Sequence, residues 1–145
     1  MRLRAFVFED DDQIRSLLWK LLDRRGYEVF TFPDPGVCPL YISHECQCTL
    51  GNACADIILS DVNMPDVRGL DFVEAQLKKG CKCRHIALMS GDWSKADLLR
   101  AEGIGCRVFS KPFLIEPISR WLDEVEKATD PQRKLTDRFW LKGIE

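Results

Sequence analysis

Nowhere in this 145-residue sequence do more than four apolar residues stand in a row. A helix needs about 20 to cross a bilayer, so no membrane span is expected. The opening AFVF meets EDDD at once and is too short for a signal peptide. Neither sign of charge is in excess: 21 basic residues face 23 acidic ones, for a net charge of −2. That balance gives no field to draw in nucleic acid or an anionic membrane. Internal repeats and low-complexity tracts are absent too. Cysteine is not scarce: there are seven, an odd number that leaves at least one outside any intramolecular pair. The chain is expected in the cytoplasm, where thiols stay reduced. Cysteines there point to metal, reactivity or burial before disulfides.

Five short apolar runs read as buried strands: LRAFVF, YEVFTF, ADIILSD, RHIALMSG and CRVFSKPF. Helical patterns separate them. Ile14, Leu17, Leu18, Leu21 and Leu22 repeat at i, i+3, i+4, i+7 and i+8, one face of a helix, with Gly26 as its C-cap. PDPG after the second run is a turn that can open another helix. Further helices fit Leu70 to Lys79, with Val73 and Leu77 inward, and Trp93 to Glu102. The last begins around Pro117 and carries Ile118, Trp121, Leu122 and Val125 on one face. Alternating strands and helices, with strands apolar throughout, predict an α/β fold: a doubly wound five-stranded parallel sheet with helices on both faces. A site in such a sheet lies at the carboxyl ends of the strands.

Those ends carry chemistry. The first strand ends in Glu9-Asp10, the third in Asp61, the fourth in Ser90 and the fifth in Lys111-Pro112. Gathered into one crevice, three carboxylates repel unless a cation neutralises them, and all-oxygen ligation suits Mg²⁺. A nearby lysine would hold the central carboxylate ionised. An ionised aspartate can attack phosphorus to give an aspartyl phosphate.

On these residues the sequence resembles the receiver domains of two-component response regulators, over roughly residues 1 to 127. VFEDDDQIRSLL resembles the acidic pair and first helix of that family, with Glu9 and Asp10 as metal ligands and Asp11 and Asp12 left in the loop. ILSDVNMPDVRGLDFV resembles the phosphoacceptor segment, with Asp61 as acceptor and Asn63 offering a backbone carbonyl to Mg²⁺. HIALMSG puts Ser90 at the switch hydroxyl, and VFSKPF puts Lys111 at the phosphate-contacting lysine, before a proline whose bond is usually cis in the family. Two positions depart from the pattern. Glu9 stands where Asp is commoner, and Val108 stands where an aromatic switch residue is usual, with Phe109 beside it on the opposite side of the strand.

The resemblance implies a phosphoacceptor domain, residues 1–128, that is not a turnover enzyme. A histidine kinase or phosphotransfer protein would phosphorylate it, and it would act on a downstream protein without binding nucleic acid or membrane. Residues 129–145 form a tail in which Leu135 and Phe139, at i, i+4, suggest a short helix that docks on the domain or binds a partner. After Asp130 the tail is expected to be dispensable for folding, since the last helix already completes the layers. Two rival readings remain. One is a metal- or redox-sensing module on the same scaffold. The other is a haloacid-dehalogenase-like phosphohydrolase, which calls for an acid two residues after the nucleophile, where this chain has Asn63.

HECQCTLGNAC and GCKC place His44 and five cysteines in two loops at the amino ends of neighbouring strands. Four thiolates about 2.3 Å from Zn²⁺ make a closed structural site. One zinc held by four of Cys46, Cys48, Cys54, Cys81 and Cys83 is therefore expected, with Cys106 in reserve.

Overall fold

A computed structural model of the chain describes residues 2–34, 48, 52–65, 67–112 and 115–136. Its five strands are β1 (Arg4–Phe8), β2 (Glu28–Phe32), β3 (Ile57–Asp61), β4 (His85–Ser90) and β5 (Arg107–Ser110). All pairs are parallel, in the order β2-β1-β3-β4-β5. Four helices join or follow them: α1 (Asp12–Arg24), α2 (Gly69–Lys78), α3 (Lys95–Gly103) and α4 (Ile115–Ala128). No helix among the described residues is long and apolar enough to cross a membrane. The helix proposed to open at PDPG lies outside the described residues.

Alternate residues of each strand feed opposite faces of the sheet. Phe6, Phe8, Phe30, Phe32, Ile58 and Leu88 join Leu70, Phe72 and Val73 of α2 on one face. Phe8 anchors that layer, with its ring 4.6 Å from Phe72 edge-on and 5.2 Å from Phe32 in a stack. On the other face Ala5, Val7, Ile57, Leu59, Ala87 and Met89 meet Leu18 and Leu22 of α1 and all four predicted residues of α4. Both faces of the sheet are covered, which is why its strands read as unbroken apolar runs.

The local details depart from expectation in two places. Asp11 and Asp12 are not loop residues. Asp11 caps α1, its carboxylate accepting from the backbone of Gln13 at 2.9 Å and Ile14 at 3.1 Å, and Asp12 is the first helical residue. Leu17 is 41% exposed, so the buried stripe of α1 narrows to Leu18 and Leu22, flanked by Ile14 and Leu21.

The tail is the larger departure. From Thr129 to Thr136 it forms turns and a bridge rather than a helix, and it seals the amino end of the sheet. Arg133 grips the buried carboxylate of Asp56 through Nε at 2.8 Å and Nη2 at 2.6 Å. Leu135 bridges Ala53 in parallel, and the Thr136 N–H donates to the Ala53 carbonyl at 3.0 Å. Arg4, 7% exposed, ties the seal together: Nη1 donates to the carbonyls of Cys54 at 2.9 Å and Thr136 at 3.0 Å, and Nε to Glu28 at 2.9 Å. These contacts argue against a dispensable tail, because its backbone and an ion pair to the buried Asp56 close the amino end of the sheet. Phe139 lies outside the described residues.

Candidate functional site

The parallel order brings the carboxyl ends of β1, β3, β4 and β5 side by side, and the predicted residues meet there. Glu9, Asp10 and Asp61 each offer a carboxylate oxygen within 4.8 Å of the others. The Lys111 ammonium lies between them, 2.8 and 2.9 Å from the two Glu9 oxygens and 3.2 Å from Asp61 Oδ2. Its firmest partner is therefore Glu9, not the central Asp61. A cis peptide joins Lys111 to Pro112, as the family resemblance implies. Ser90, buried beside them, accepts from the Asp92 N–H at 3.0 Å.

One link had no signal in the sequence pattern. The Asn63 side-chain amide donates to Ser90 Oγ at 3.2 Å, while its backbone N–H donates to Asp61 Oδ1 at 3.2 Å. Asn63 thus connects the ends of β3 and β4 through its side chain as well as its backbone.

The electrostatics follow from burial. Glu9 is fully buried, and desolvation, with the charge of Asp61 added, lifts its pKa to about 7 even though Lys111 pulls the other way. Asp10, on the exposed rim, is raised as well, by partial desolvation and by the facing Asp61 carboxylate. Burial works against the charge of Lys111, but its bonds to Glu9 and the charges of Glu9 and Asp61 outweigh that and raise its pKa. The cluster is short of positive charge, and its donors are all oxygen. That donor set fits Mg²⁺, a hard cation that binds through one or two carboxylates and keeps waters.

Gly69 sets the floor under the acceptor. A Cβ at that position would sit 2.1 Å from the Asp61 carbonyl oxygen, so α2 can begin this close to β3 only with glycine there. Gly69→Ala is expected to cost about 2 kcal/mol, the range for overpacking a tight site. Urea unfolding would read this as a lower midpoint at unchanged slope.

The departure at Val108 also has a structural counterpart. Phe109 faces the α1–α4 layer, its ring 5.8 Å from Trp121. Val108 faces the other layer, where Trp93 packs and donates its indole N–H to the Phe109 carbonyl at 2.9 Å.

At the opposite end of the sheet, roughly 17 Å away at about 3.3 Å per strand residue, three of the expected sulfurs converge. The Sγ atoms of Cys48, Cys54 and Cys81 lie within 4.8 Å of one another. Cys83 is not among them: its buried thiol points at the His85 carbonyl oxygen, 3.7 Å away. Cys106 stays apart too, a thiol that burial pushes up to about 11. Cys46 and His44 lie outside the described residues.

Comparison with known proteins agrees with this geometry. The model of the response regulator receiver domain matches residues 5–122. A 3',5'-cyclic-nucleotide phosphodiesterase of Dictyostelium discoideum is 30% identical over 138 residues, 92% of this chain and 16% of that protein. A probable transcriptional regulatory protein of Picosynechococcus is 28% identical over 118 residues, 81% of this chain and 45% of that protein. The chain therefore spans less than half the length of either relative. Among solved structures, the chemotaxis response regulator CheY4 of Vibrio cholerae superposes with a TM-score of 0.66 at 25% identity, over 86% of this chain and 99% of that one. A response regulator receiver protein from Pseudoalteromonas atlantica reaches a TM-score of 0.72 at 15% identity, over 88% of this chain and 99% of the other.

Proposed function

The chain belongs to the family of response regulator receiver domains, and from that premise we propose that it is a phosphoacceptor charged on Asp61 by a histidine kinase or phosphotransfer protein. The observation that carries this reading is the grouping of Asp61 with Glu9, Asp10 and Lys111 at the strand ends. Mg²⁺, when bound by Glu9, Asp10, Asp61 and the Asn63 carbonyl, supplies positive charge to the phosphoryl oxygens. Asp61 provides the attacking carboxylate oxygen. The donor's phosphorus–nitrogen bond breaks as the new phosphorus–oxygen bond forms, and the histidine keeps the electron pair. Lys111 offers a cation to a phosphoryl oxygen once it leaves Glu9, and the Ser90 hydroxyl offers a hydrogen bond. The amide link from Asn63 then has to give way, which ties occupancy of Asp61 to the start of α3 through Ser90 and Asp92. The domain spends its phosphoryl group on contacts with a downstream protein rather than on turnover of a substrate. In the same reading the cysteines hold a structural zinc, and the thiol chemistry suits a reducing cytoplasm.

Incubation with acetyl phosphate and Mg²⁺, followed by mass spectrometry of the peptide that contains Asp61, tests the assignment. One phosphoryl mass on that peptide is expected, and none without Mg²⁺. Lys111→Ala should still accept phosphate but respond weakly to it. Trp93 fluorescence, read with and without acetyl phosphate, should change clearly in the parent and little in this variant. An undiminished change would remove Lys111 from the response.

A further inference from the structure

We infer that Cys48, Cys54 and Cys81 form a soft-metal site whose ion holds Leu135 and Thr136 against the domain. The inference rests on the zinc reading above and adds what that zinc controls.

One pair of sulfurs already stands at the spacing of a bound state. Cys54 and Cys81 have their sulfurs 3.9 Å apart. Zinc–sulfur bonds of about 2.3 Å at tetrahedral angles put neighbouring sulfurs about 3.8 Å apart. The third sulfur is fixed in place by two donors: Cys48 Sγ takes the backbone N–H of Cys54 at 3.1 Å and of Lys82 at 3.2 Å. Each comes from one of the two loops that carry the other ligands, so all three segments converge on one atom. Among the described residues no carboxylate shares the cluster, and a sulfur donor set selects zinc over magnesium or calcium.

The same short stretch is the edge on which the tail lies. Cys54 faces the cluster with its sulfur, while its carbonyl accepts from Arg4 Nη1, the atom that also holds the Thr136 carbonyl. Ala53, one residue earlier, takes the Thr136 N–H and bridges Leu135. An ion that fixes Cys54 to Cys48 and Cys81 therefore fixes the backbone edge at Ala53–Cys54. Without it the Ala53–Cys54 backbone keeps its bonds to Arg4 and Thr136 but loses the metal link to the segments of Cys48 and Cys81, and the tail loses a rigid partner. The Arg133–Asp56 pair does not depend on the cluster, so loss of the ion loosens the end of the tail rather than releasing all of it.

The test uses the full chain, purified without added metal. Elemental analysis should find about one zinc per chain. Hydrogen exchange of the peptide covering residues 133–136 is then followed before and after treatment with a chelator, and again after zinc or Mg²⁺ is added back. Exchange at Thr136 should rise about tenfold or more on zinc removal. It should fall back with zinc and not with Mg²⁺, while β3 stays protected throughout. Cys81→Ser, distant from the tail along the chain, should reproduce the metal-free pattern. Should that variant fail to fold, the chelator series on the parent decides alone. Zinc that binds without changing tail exchange, or equal acceleration in β3 and the tail, overturns the control while the zinc reading stands. A chain that holds no zinc as purified and takes none up on titration overturns both.

Discussion

Asp61→Asn is expected to end phosphoryl transfer from acetyl phosphate and to leave the protein folded. The amide nitrogen and oxygen are poor nucleophiles at phosphorus, so the loss should be at least about a thousandfold, below detection in an ordinary labelling time. One neighbour is poorly placed to stand in. Glu9 is fully buried, with both oxygens on Lys111. Asp10 is the accessible rival, on the exposed rim. Persistent labelling that mapped to Asp10 would defeat the assignment. Stability should not fall, because the substitution removes one of three crowded negative charges and leaves Lys111 paired with Glu9. A melting temperature equal to or above that of the parent is expected. A marked drop would mean that the Asp61 charge holds the crevice together.

Asp56→Ala should destabilise the domain by about 2 kcal/mol, the cost of leaving a buried N–H without its acceptor and a half-buried arginine without its partner. Asp56 is 7% exposed and does two jobs. It neutralises Arg133, and its Oδ2 accepts the buried N–H of Arg4 at 2.8 Å. Alanine leaves a buried amide and a guanidinium without their acceptor. Asp56→Asn can keep its one oxygen for the Arg4 N–H while it loses the charge and one of the two oxygens that hold Arg133, so its cost should be smaller. Urea midpoints at constant slope would measure both. Because Asp56 stands just before β3 while Arg133 stands in the tail, a change under about 0.5 kcal/mol for the alanine variant, the range for an unremarkable surface site, would restore the view that the tail is dispensable.

The crevice was legible because each strand is an apolar run that stops at a polar residue. The parallel order then puts those stops at one end, and Glu9, Asp10, Asp61, Ser90 and Lys111 needed no more than that. The Asn63–Ser90 link was not legible, since Asn63 was read for its backbone carbonyl and side-chain direction in a loop leaves no periodicity. Among the cysteines, spacing suggested that Cys81 and Cys83 act as a pair. The chain separates them: Cys81 still belongs to the end of α2, its N–H on the Gln76 carbonyl, after Gly80 at φ 88°. Cys83 already leads into β4. Arg4 was passed over because a charged residue at the start of an apolar run looks like a solvated strand end. Its partners come from segments as far as 132 residues away, and no local pattern shows them. For the same reason the tail looked detachable: Arg133 and Thr136 carry no hydrophobic periodicity, yet they close the amino end of the sheet.

Arg4 also makes the amino end of the sheet a meeting point of distant parts of the chain: its backbone N–H and side chain reach Asp56, Glu28, Cys54 and Thr136. The side chains of the carboxylate cluster at the other end come instead from Glu9, Asp10, Asp61 and Lys111. The two ends of one sheet are therefore closed by different parts of the sequence. A deletion of residues 133–136 would open the Arg4 end and leave Asp56 without its arginine, while every residue of the carboxylate cluster stayed in the chain.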